Sequence, residues 1–521
     1  MTVAPRIAWL SPYGSRSDIG AFTRCLLPHF AADAGGALDC DLFVNAYGDT
    51  YDSPVPAMEI PAAGSIGEIL SRYDSVFFNL GNNAQNHTHI INALRSVAGI
   101  AVLHDFSYHH FFAHKCFEEL RSPPVYARLL RDYYGSVGFN MALRSGIITR
   151  EATLYAPWDG ENVAQYPLTQ PVSALAAAVV VHSKFMEEHV AKTFQGPILR
   201  LFLPSDQKKA PSPDEILQWG NETASRERCQ FTTFGHISRA KCLDVIVQAI
   251  GSSPLLRSRG QLTIAGNASD KEYVREIEAL ATKLGLIKQV TFEYNVTDER
   301  LLAIKNETDV FLNLRYPNTE GASGSLIEMM NAGKPIIAYR SGCYAEVPEN
   351  AALLLDRREG LDGVVAAMES LVSAPERRIA IGKAAKADLA GRDSASYVRT
   401  LKEFAADIRP QSRRRAHYVV PARDGLQWTS RDVLDEDRLW FEELTRARRT
   451  FQLLERDRYV QSPDAFLNWS IDDLTNFVGR VLLHADRPSG FGPITCELRT
   501  EAWQVVVLRA CFPIAALSSA L

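Results

Sequence analysis

Asp309–Tyr339 reads DVFLNLRYPNTEGASGSLIEMMNAGKPIIAY, and this stretch decides the fold. Asp309–Leu314 is a short apolar run of the kind that fills a fully buried strand, and Lys334–Tyr339 is a second one. Between them Gly321 and Gly324 permit tight turns and close backbone approach, and a helix is expected from about Ser325 to Gly333, just before Pro335. A helix that opens straight after a strand aims its unbonded N–H groups and the positive end of its dipole above the sheet. That is a ready site for a diphosphate.

Working outward, the same alternation runs through most of the chain. RIAWLS from Arg6, DLFVNA from Asp41, SVFFNL from Ser75, GIAVLHD from Gly99 and AAAVVVHS from Ala176 read as strands, with helical stretches such as IINALRSVA from Ile90 between them. After the connector GPILRLFLPSDQKKAPSPDE the rhythm restarts with CQFTTFGH at Cys229, QLTIAGN at Gln261, QVTFEYN at Gln289 and AALLLD at Ala351. Strands apolar on both faces and separated by helices make a parallel sheet covered on both sides. The expected fold is α/β: two doubly wound, Rossmann-like domains, residues 1–205 and 206–409, facing a cleft where the carboxyl ends of the strands meet and ligands bind.

The segment SASYVRTLKEFAADI from Ser394 reads as an amphipathic helix closing the second half, with a linker at Pro410 and Arg413–Arg415. Residues 410–521 are expected to form a mainly helical extension of unknown role. Within it EDRLWFEELTRARRTFQLLERDRYV, from Glu436, has helical spacing and dense charge, and reads as a surface helix or a partner-binding one. The closing VVVLRACFPIAALSSAL is interrupted by Arg509 and Pro513 and is too short to span a bilayer. A docking strand, a partner surface and a weak membrane contact all stay open for it.

Composition narrows the classes. A chain of 521 residues exceeds one ordinary core. With 46% hydrophobic and 22% charged residues it has the balance of a soluble enzyme. Lys+Arg 56 against Asp+Glu 61 leaves a net charge of -5, which disfavours general nucleic-acid binding. The opening MTVAPRIAWLSPYG reads as a first strand rather than a signal peptide. Eight cysteines are scattered without a C-x-x-C pair or zinc spacing, so reduced and mostly buried thiols are expected. Both features suit a reducing cytoplasm.

The chemistry concentrates near the strand ends. Glu320 and Glu328 frame the start of the helix. A carboxylate cannot pair with phosphate, so hydroxyls are the natural partners: a ribose for Glu328 and a sugar beyond the diphosphate for Glu320. Acidic residues also favour a helix N-terminus by ~0.3–1 kcal/mol with no ligand at all. The glycines, with Ser323 and Ser325, turn the reading toward a ligand. His104 and Asp105 follow the strand GIAVL and belong at the cleft mouth. Asn82, after SVFFNL, either addresses an acceptor or makes an ordinary turn. His109, His110 and His114 line an entrance or pack, and a zinc cluster is not expected. The Gly14–Gly20 loop falls short of the G-x-G-x-x-G fingerprint, which disfavours a dehydrogenase.

The E-x7-E spacing of EGASGSLIE resembles that of the retaining glycosyltransferases of family GT4 (group 1), which have the GT-B fold. The likeness runs from about Arg6 to Ile408. SPYGSRSDIGAF, LGNN at Leu80, HDFSYHHFF at His104, VVVHS at Val179 and LRYP at Leu314 are similar to members that build bacterial surface polysaccharides. The resemblance implies that Glu320 and Glu328 hold the donor sugar and its ribose, and that His104 lies beside the transferred sugar. It implies that Ser17, Asp18 and Gly20 reach toward diphosphate and acceptor, and that Gly235 and Lys241 of FGHISRAKCLDVI meet the diphosphate. His236 stands where members often carry arginine, and Arg239 is the candidate substitute. Such cations and helix N–H groups can take the charge of the leaving nucleoside diphosphate without a metal ion.

The resulting expectation is a retaining, metal-independent transfer of sugar from a nucleotide-sugar donor to a saccharide or lipid-linked saccharide. No cofactor is expected beyond that co-substrate, and the protein would be cytoplasmic, with peripheral membrane association open. His104, Lys241 and Glu320 are the expected catalytic residues. Gly235, Arg239, Gly321, Ser323, Gly324, Ser325 and Glu328 complete the donor side, and Ser17, Asp18, Gly20, Asn82 and Asp105 the acceptor side. Two other classes stay open: a non-catalytic nucleotide-sugar-binding scaffold, and an epimerase that would use the carboxylates for proton transfer.

Overall fold

A computed structural model describes residues 5–14, 17–32, 40–45, 52–61, 63–119, 123–145, 157–158, 161–205, 211–224, 226–268, 270–412, 416–421, 427–433, 492–500 and 503–512. Its first half contains β1 (Ile7–Leu10), β2 (Cys40–Val44), β3 (Ala57–Glu59), β4 (Ser75–Leu80), the two-residue β5 (Val97–Ala98), β6 (Ile100–Leu103), β7 (Ala178–Val181) and β8 (Ile198–Arg200). All but β5 form one parallel sheet in the order β3-β2-β1-β4-β6-β7-β8. β1, β4, β6 and β7 are buried at every position, which is why their sequences are apolar without alternation. The edge strands β3 and β8 are three residues each and β3 is wholly exposed, so neither leaves an apolar run to read.

The covering helices follow from spacing. The Ala84–Ser96 helix buries Ala84, His87, Ile90, Ile91 and Leu94, one stripe at helical period, and the Asn83 side chain caps it by accepting from the Asn86 N–H at 3.1 Å.

The second half repeats the plan with β9 (Cys229–Phe234), β10 (Gly260–Gly266), β11 (Val290–Tyr294), β12 (Val310–Asn313), β13 (Ile336–Tyr339) and β14 (Leu353–Leu355). They form a parallel sheet in the order β11-β10-β9-β12-β13-β14. The chain progresses outward on one side of β9 and then switches to the other side at β12. In such sheets the crevice beyond the carboxyl ends at the switch point is where ligands bind. β12 begins one residue after Asp309, whose buried carboxylate instead accepts from the Gln230 N–H at 2.8 Å and from Arg226 at 3.0 Å.

The helix Ser394–Ala405 lies differently from expectation. Its buried face, Tyr397, Val398, Leu401 and Ala405, joins Ile7, Trp9, Leu26 and Phe30 of the first half in one core. Ser75 Oγ donates to the Ala405 carbonyl at 3.1 Å, and Arg409 pairs with Asp74. The chain therefore crosses back, and its last helix closes the first half rather than the second. β15 (Gln411–Ser412) then pairs antiparallel with β5.

The extension was expected to be mainly helical. Its described residues are strands: β16 (Ala416–Pro421), β17 (Gln427–Val433), β18 (Gly492–Thr500) and β19 (Trp503–Phe512), an antiparallel sheet in the order β16-β17-β19-β18. β19 takes up the first part of the apolar run near the end of the chain. The expected helix from Glu436 lies outside the described residues.

Candidate active site

The Gly324–Asn331 helix begins one residue before the expected start, with Ser323 as its cap: Ser323 Oγ accepts from the Leu326 N–H at 3.3 Å. Ser323 Oγ also lies 3.1 Å from Ser325 Oγ. A Cβ added to Gly324 would meet no atom within 4 Å, so the first turn of the helix opens onto free space. Gly321 is the opposite case. A Cβ there would fall 2.8 Å from the His104 carbonyl oxygen, and its own N–H donates to that oxygen at 3.2 Å. The glycine lets the two halves touch.

That contact belongs to a seam. Phe106 and Ser107 donate their N–H groups to the Thr319 carbonyl at 3.1 and 3.2 Å, and Ser183 Oγ donates to the Gly321 carbonyl at 2.5 Å. Asp105 and Glu320 form an isolated antiparallel bridge. The carboxyl ends of β6, β7 and β12 are thus brought together as the spacing of the strands implied.

Around Glu320 the side chains are densely paired. Oε1 accepts from Arg315 Nη2 at 2.9 Å, and Oε2 lies 3.0 Å from the Tyr344 hydroxyl, which is also 2.9 Å from Ser323 Oγ. Burial, then the charge of Glu320, raises the Tyr344 phenol well above its usual range, so it stays protonated and donates. Burial opposes the charge on Arg315, but Glu320 and Tyr344 outweigh it and hold the guanidinium protonated. Neither partner was anticipated as a site residue. Arg315 lies one residue beyond Leu314, between the end of β12 and Glu320, and that position was the available signal. Tyr344 follows β13 in SGCYAEVP, and nothing local links it to Glu320.

Lys241 is buried, and its Nζ donates to the Phe234 carbonyl at the end of β9 at 2.6 Å. Burial and the nearby Arg315 lower its pKa to about 7, against the pull of Glu320 and Asp18. Gly235 has φ 106°, a conformation suited to glycine, and a Cβ there would sit 3.4 Å from Lys241 Nζ. Arg239 turns elsewhere. It forms a two-armed pair with Glu276 at 2.7 and 2.8 Å, lies over the Tyr273 ring and is exposed. The second cation acting on Lys241 is Arg315, so Arg315 rather than Arg239 supplies the charge expected beside His236. His236 meets solvent at the cleft, and partial desolvation there, then the charges of Arg315 and Lys241, lower its pKa.

Glu328 is exposed on the helix and paired with Lys305 at 2.5 Å. Across the cleft Ser17 caps the Asp18–Ala32 helix, its Oγ accepting from the Gly20 N–H at 3.0 Å. Asp18 meets solvent within a crowded cleft. Desolvation first, then Glu328 and Glu320, raise its pKa, with Lys241 and Arg315 opposing. The loop therefore faces the donor-side groups of the other half.

Asp105 Oδ2 accepts from the Asn82 N–H at 2.7 Å, and Asn82 Oδ1 accepts from the Phe111 N–H at 3.0 Å. Asn82 thus organises the loop beneath the cleft. Burial and Glu320 raise Asp105 to about 7 although the Asn82 N–H opposes this. The His104 ring is packed against Phe22 and His182, with Nε2 3.2 Å from Asn79 Oδ1. Because Asn79 Nδ2 donates to the Leu10 carbonyl, its Oδ1 can only accept, which puts the proton of His104 on Nε2. Burial, His182 and His87 push its pKa well below 6.5, so the ring is neutral and not a proton donor at neutral pH. His109 is fully buried between the Tyr126 hydroxyl and the Tyr166 carbonyl, a packing role; His110 is exposed beside Trp158.

Two cations, an open helix start and the carboxylates Glu320 and Glu328 thus face one cleft between the halves. Residues 221–388, which contain all of its second-half groups, match the family described as glycosyl transferases group 1. These residues are a group 1 glycosyltransferase domain, and the protein is a glycosyltransferase. Among solved structures, the glycosyltransferase is similar to sucrose-phosphate synthase from Thermosynechococcus elongatus at 19% identity, covering 78% of this chain and 100% of that one, with a TM-score of 0.52. It is similar also to Anabaena Alr3699/HepE in complex with UDP and glucose, at 14% identity, 78% and 100% coverage and a TM-score of 0.51. These likenesses establish the GT-B fold. No curated protein matches the sequence. Among the described residues no helix is long and apolar enough to cross a membrane.

Proposed function

We propose that the protein moves a sugar from a nucleotide-sugar donor to a saccharide or lipid-linked saccharide, with retention of configuration and without a metal ion. The observation that carries this reading is the gathering of Lys241, Arg315 and the open first turn of the Gly324–Asn331 helix around Glu320. The diphosphate would lie on that helix start with Lys241 beside it, so the charge released as the glycosidic bond breaks meets fixed donors. Glu320 already has one partner on each oxygen and keeps lone pairs for the hydroxyls of the transferred sugar. Glu328, exposed at the second turn, would release Lys305 and accept from a ribose.

The acceptor would enter along the first half past Asp18. Asp105, held near neutrality by burial, can take a proton from an acceptor hydroxyl or hold it in line, while the departing phosphate oxygen serves as the final proton acceptor in a front-face reaction. His104 orients the seam and presents a neutral ring beside the sugar. The Anabaena protein of the same fold is described with UDP and glucose, which supports a nucleotide-sugar donor here. We place the work at the cytoplasmic side, with lipid-linked acceptors reached from the membrane surface.

Transfer measured with excess chelator, and proton NMR of the new anomeric centre, test the two finer parts. Full activity and retained configuration are expected. Loss of activity restored by a divalent ion removes the metal-free part; an inverted product removes retention.

A further inference from the structure

The loop Gly342–Glu346 after β13 does two things at once. At its centre Tyr344 holds Glu320 Oε2 at 3.0 Å. At its end the half-buried Glu346 reaches into the first half, where its two carboxylate oxygens accept from the N–H groups of Phe185 at 2.7 Å and Lys184 at 2.9 Å. These are the first two residues of the Lys184–Val190 helix, whose cap Ser183 donates to the Gly321 carbonyl, the residue next to Glu320. The loop is also fixed to the Glu320 strand end. Asn318 donates to the Ser341 carbonyl at 3.1 Å and accepts from the Glu320 N–H at 3.0 Å. Gly342, at φ 52°, leaves room for this, since a Cβ there would come within 2.3 Å of Asn318 Nδ2 and 3.4 Å of the Phe185 ring.

We infer that this turn is a coupling element: Tyr344 is a positioning residue that sets the Glu320 carboxylate, and Glu346 makes that setting depend on the first half being docked against the second. The inference rests on the transferase reading above for Glu320, but its mechanical part stands apart from it. With the halves apart, Glu346 loses both N–H donors and the 342–346 turn keeps only its second-half contacts, Asn318 to Ser341 and Tyr344 to Ser323, so Tyr344 is held on Glu320 less firmly and Arg315 takes a larger share. Closure then orders the carboxylate as well as excluding water.

The test uses the full chain with Tyr344→Phe, Glu346→Ala and the double variant. Small-angle scattering reports closure, and calorimetry with a nucleoside diphosphate reports the donor half. Initial rates with donor and acceptor report the chemistry. Glu346→Ala is expected to enlarge the radius of gyration, keep nucleoside-diphosphate affinity within about twofold, and lower kcat by roughly tenfold or more with little change in donor KM. Tyr344→Phe should lower kcat similarly without enlarging the particle. The double variant should be about as slow as the slower single one, because both act through Glu320. Multiplying effects, or an unchanged size and rate in Glu346→Ala, overturn the coupling. Wild-type protein that transfers no sugar overturns the transferase reading instead, while the scattering comparison still decides whether Glu346 holds the halves together.

Discussion

At the residue scale the decisive feature is a lysine buried where an anion would stand. Because Lys241 has a pKa of about 7 in the free protein, it is charged below that pH and neutral above it. A bound diphosphate raises that pKa, so binding above pH 7 takes up a proton. Affinity for a nucleoside diphosphate should therefore fall by up to tenfold per unit as the pH rises from 7 to 9. In Lys241→Arg, which stays charged, that slope should vanish. Calorimetry over this range checks it, and a flat profile for the native protein contradicts the role of Lys241. Replacing Lys241 with alanine should slow transfer by roughly 10²–10³, the usual loss for one fixed donor at developing charge, while circular dichroism stays unchanged. Much of this was legible in the chain: Lys241, Glu320 and Gly321 stand at strand ends, where the two-sheet plan puts ligands. Arg315 and Tyr344 were not, because their meaning depends on which way two loops fold over Glu320. Arg239 carried the right charge at a plausible place, but the bidentate bond to Glu276 turns it outward.

At the scale of elements, the two glycines flanking Ser323 do different work, and substitution separates them. Gly321→Ala brings a methyl against the His104 carbonyl and should loosen the seam, cutting transfer strongly. Gly324→Ala meets no protein atom, so stability should stay within about 0.5 kcal/mol while nucleoside-diphosphate affinity drops because the methyl occupies ligand space. Melting curves and calorimetry on the two variants check this; unimpaired binding in Gly324→Ala would place the diphosphate elsewhere. The helix Ser394–Ala405 gives a second element-scale result. Amphipathic spacing announced the helix but not its address, since an apolar stripe fits either half and only the crossing chain decides. Leu401→Ala should cost about 2–5 kcal/mol and speed amide exchange in β1 and β2 while β9 and β10 stay protected. The reverse pattern would return the helix to the second half.

Across the whole molecule, two parallel sheets with the carboxyl ends of their strands turned toward one another were readable from eleven apolar runs in order, which account for all of the thirteen strands except the short edge strands β3 and β8. The extension was not readable in the same way, because its described strands β16–β19 pair antiparallel with one another rather than with the repeating plan. The central claim is that this pair of sheets transfers sugar through Glu320. Its most direct test is release of nucleoside diphosphate from a panel of nucleotide sugars, with and without saccharide acceptors, in native protein and in Glu320→Ala. Release that requires an acceptor, and that falls at least a hundredfold in the folded variant, is the predicted result; undiminished release in Glu320→Ala, no release from any donor, or an altered sugar still attached to its nucleotide would contradict it.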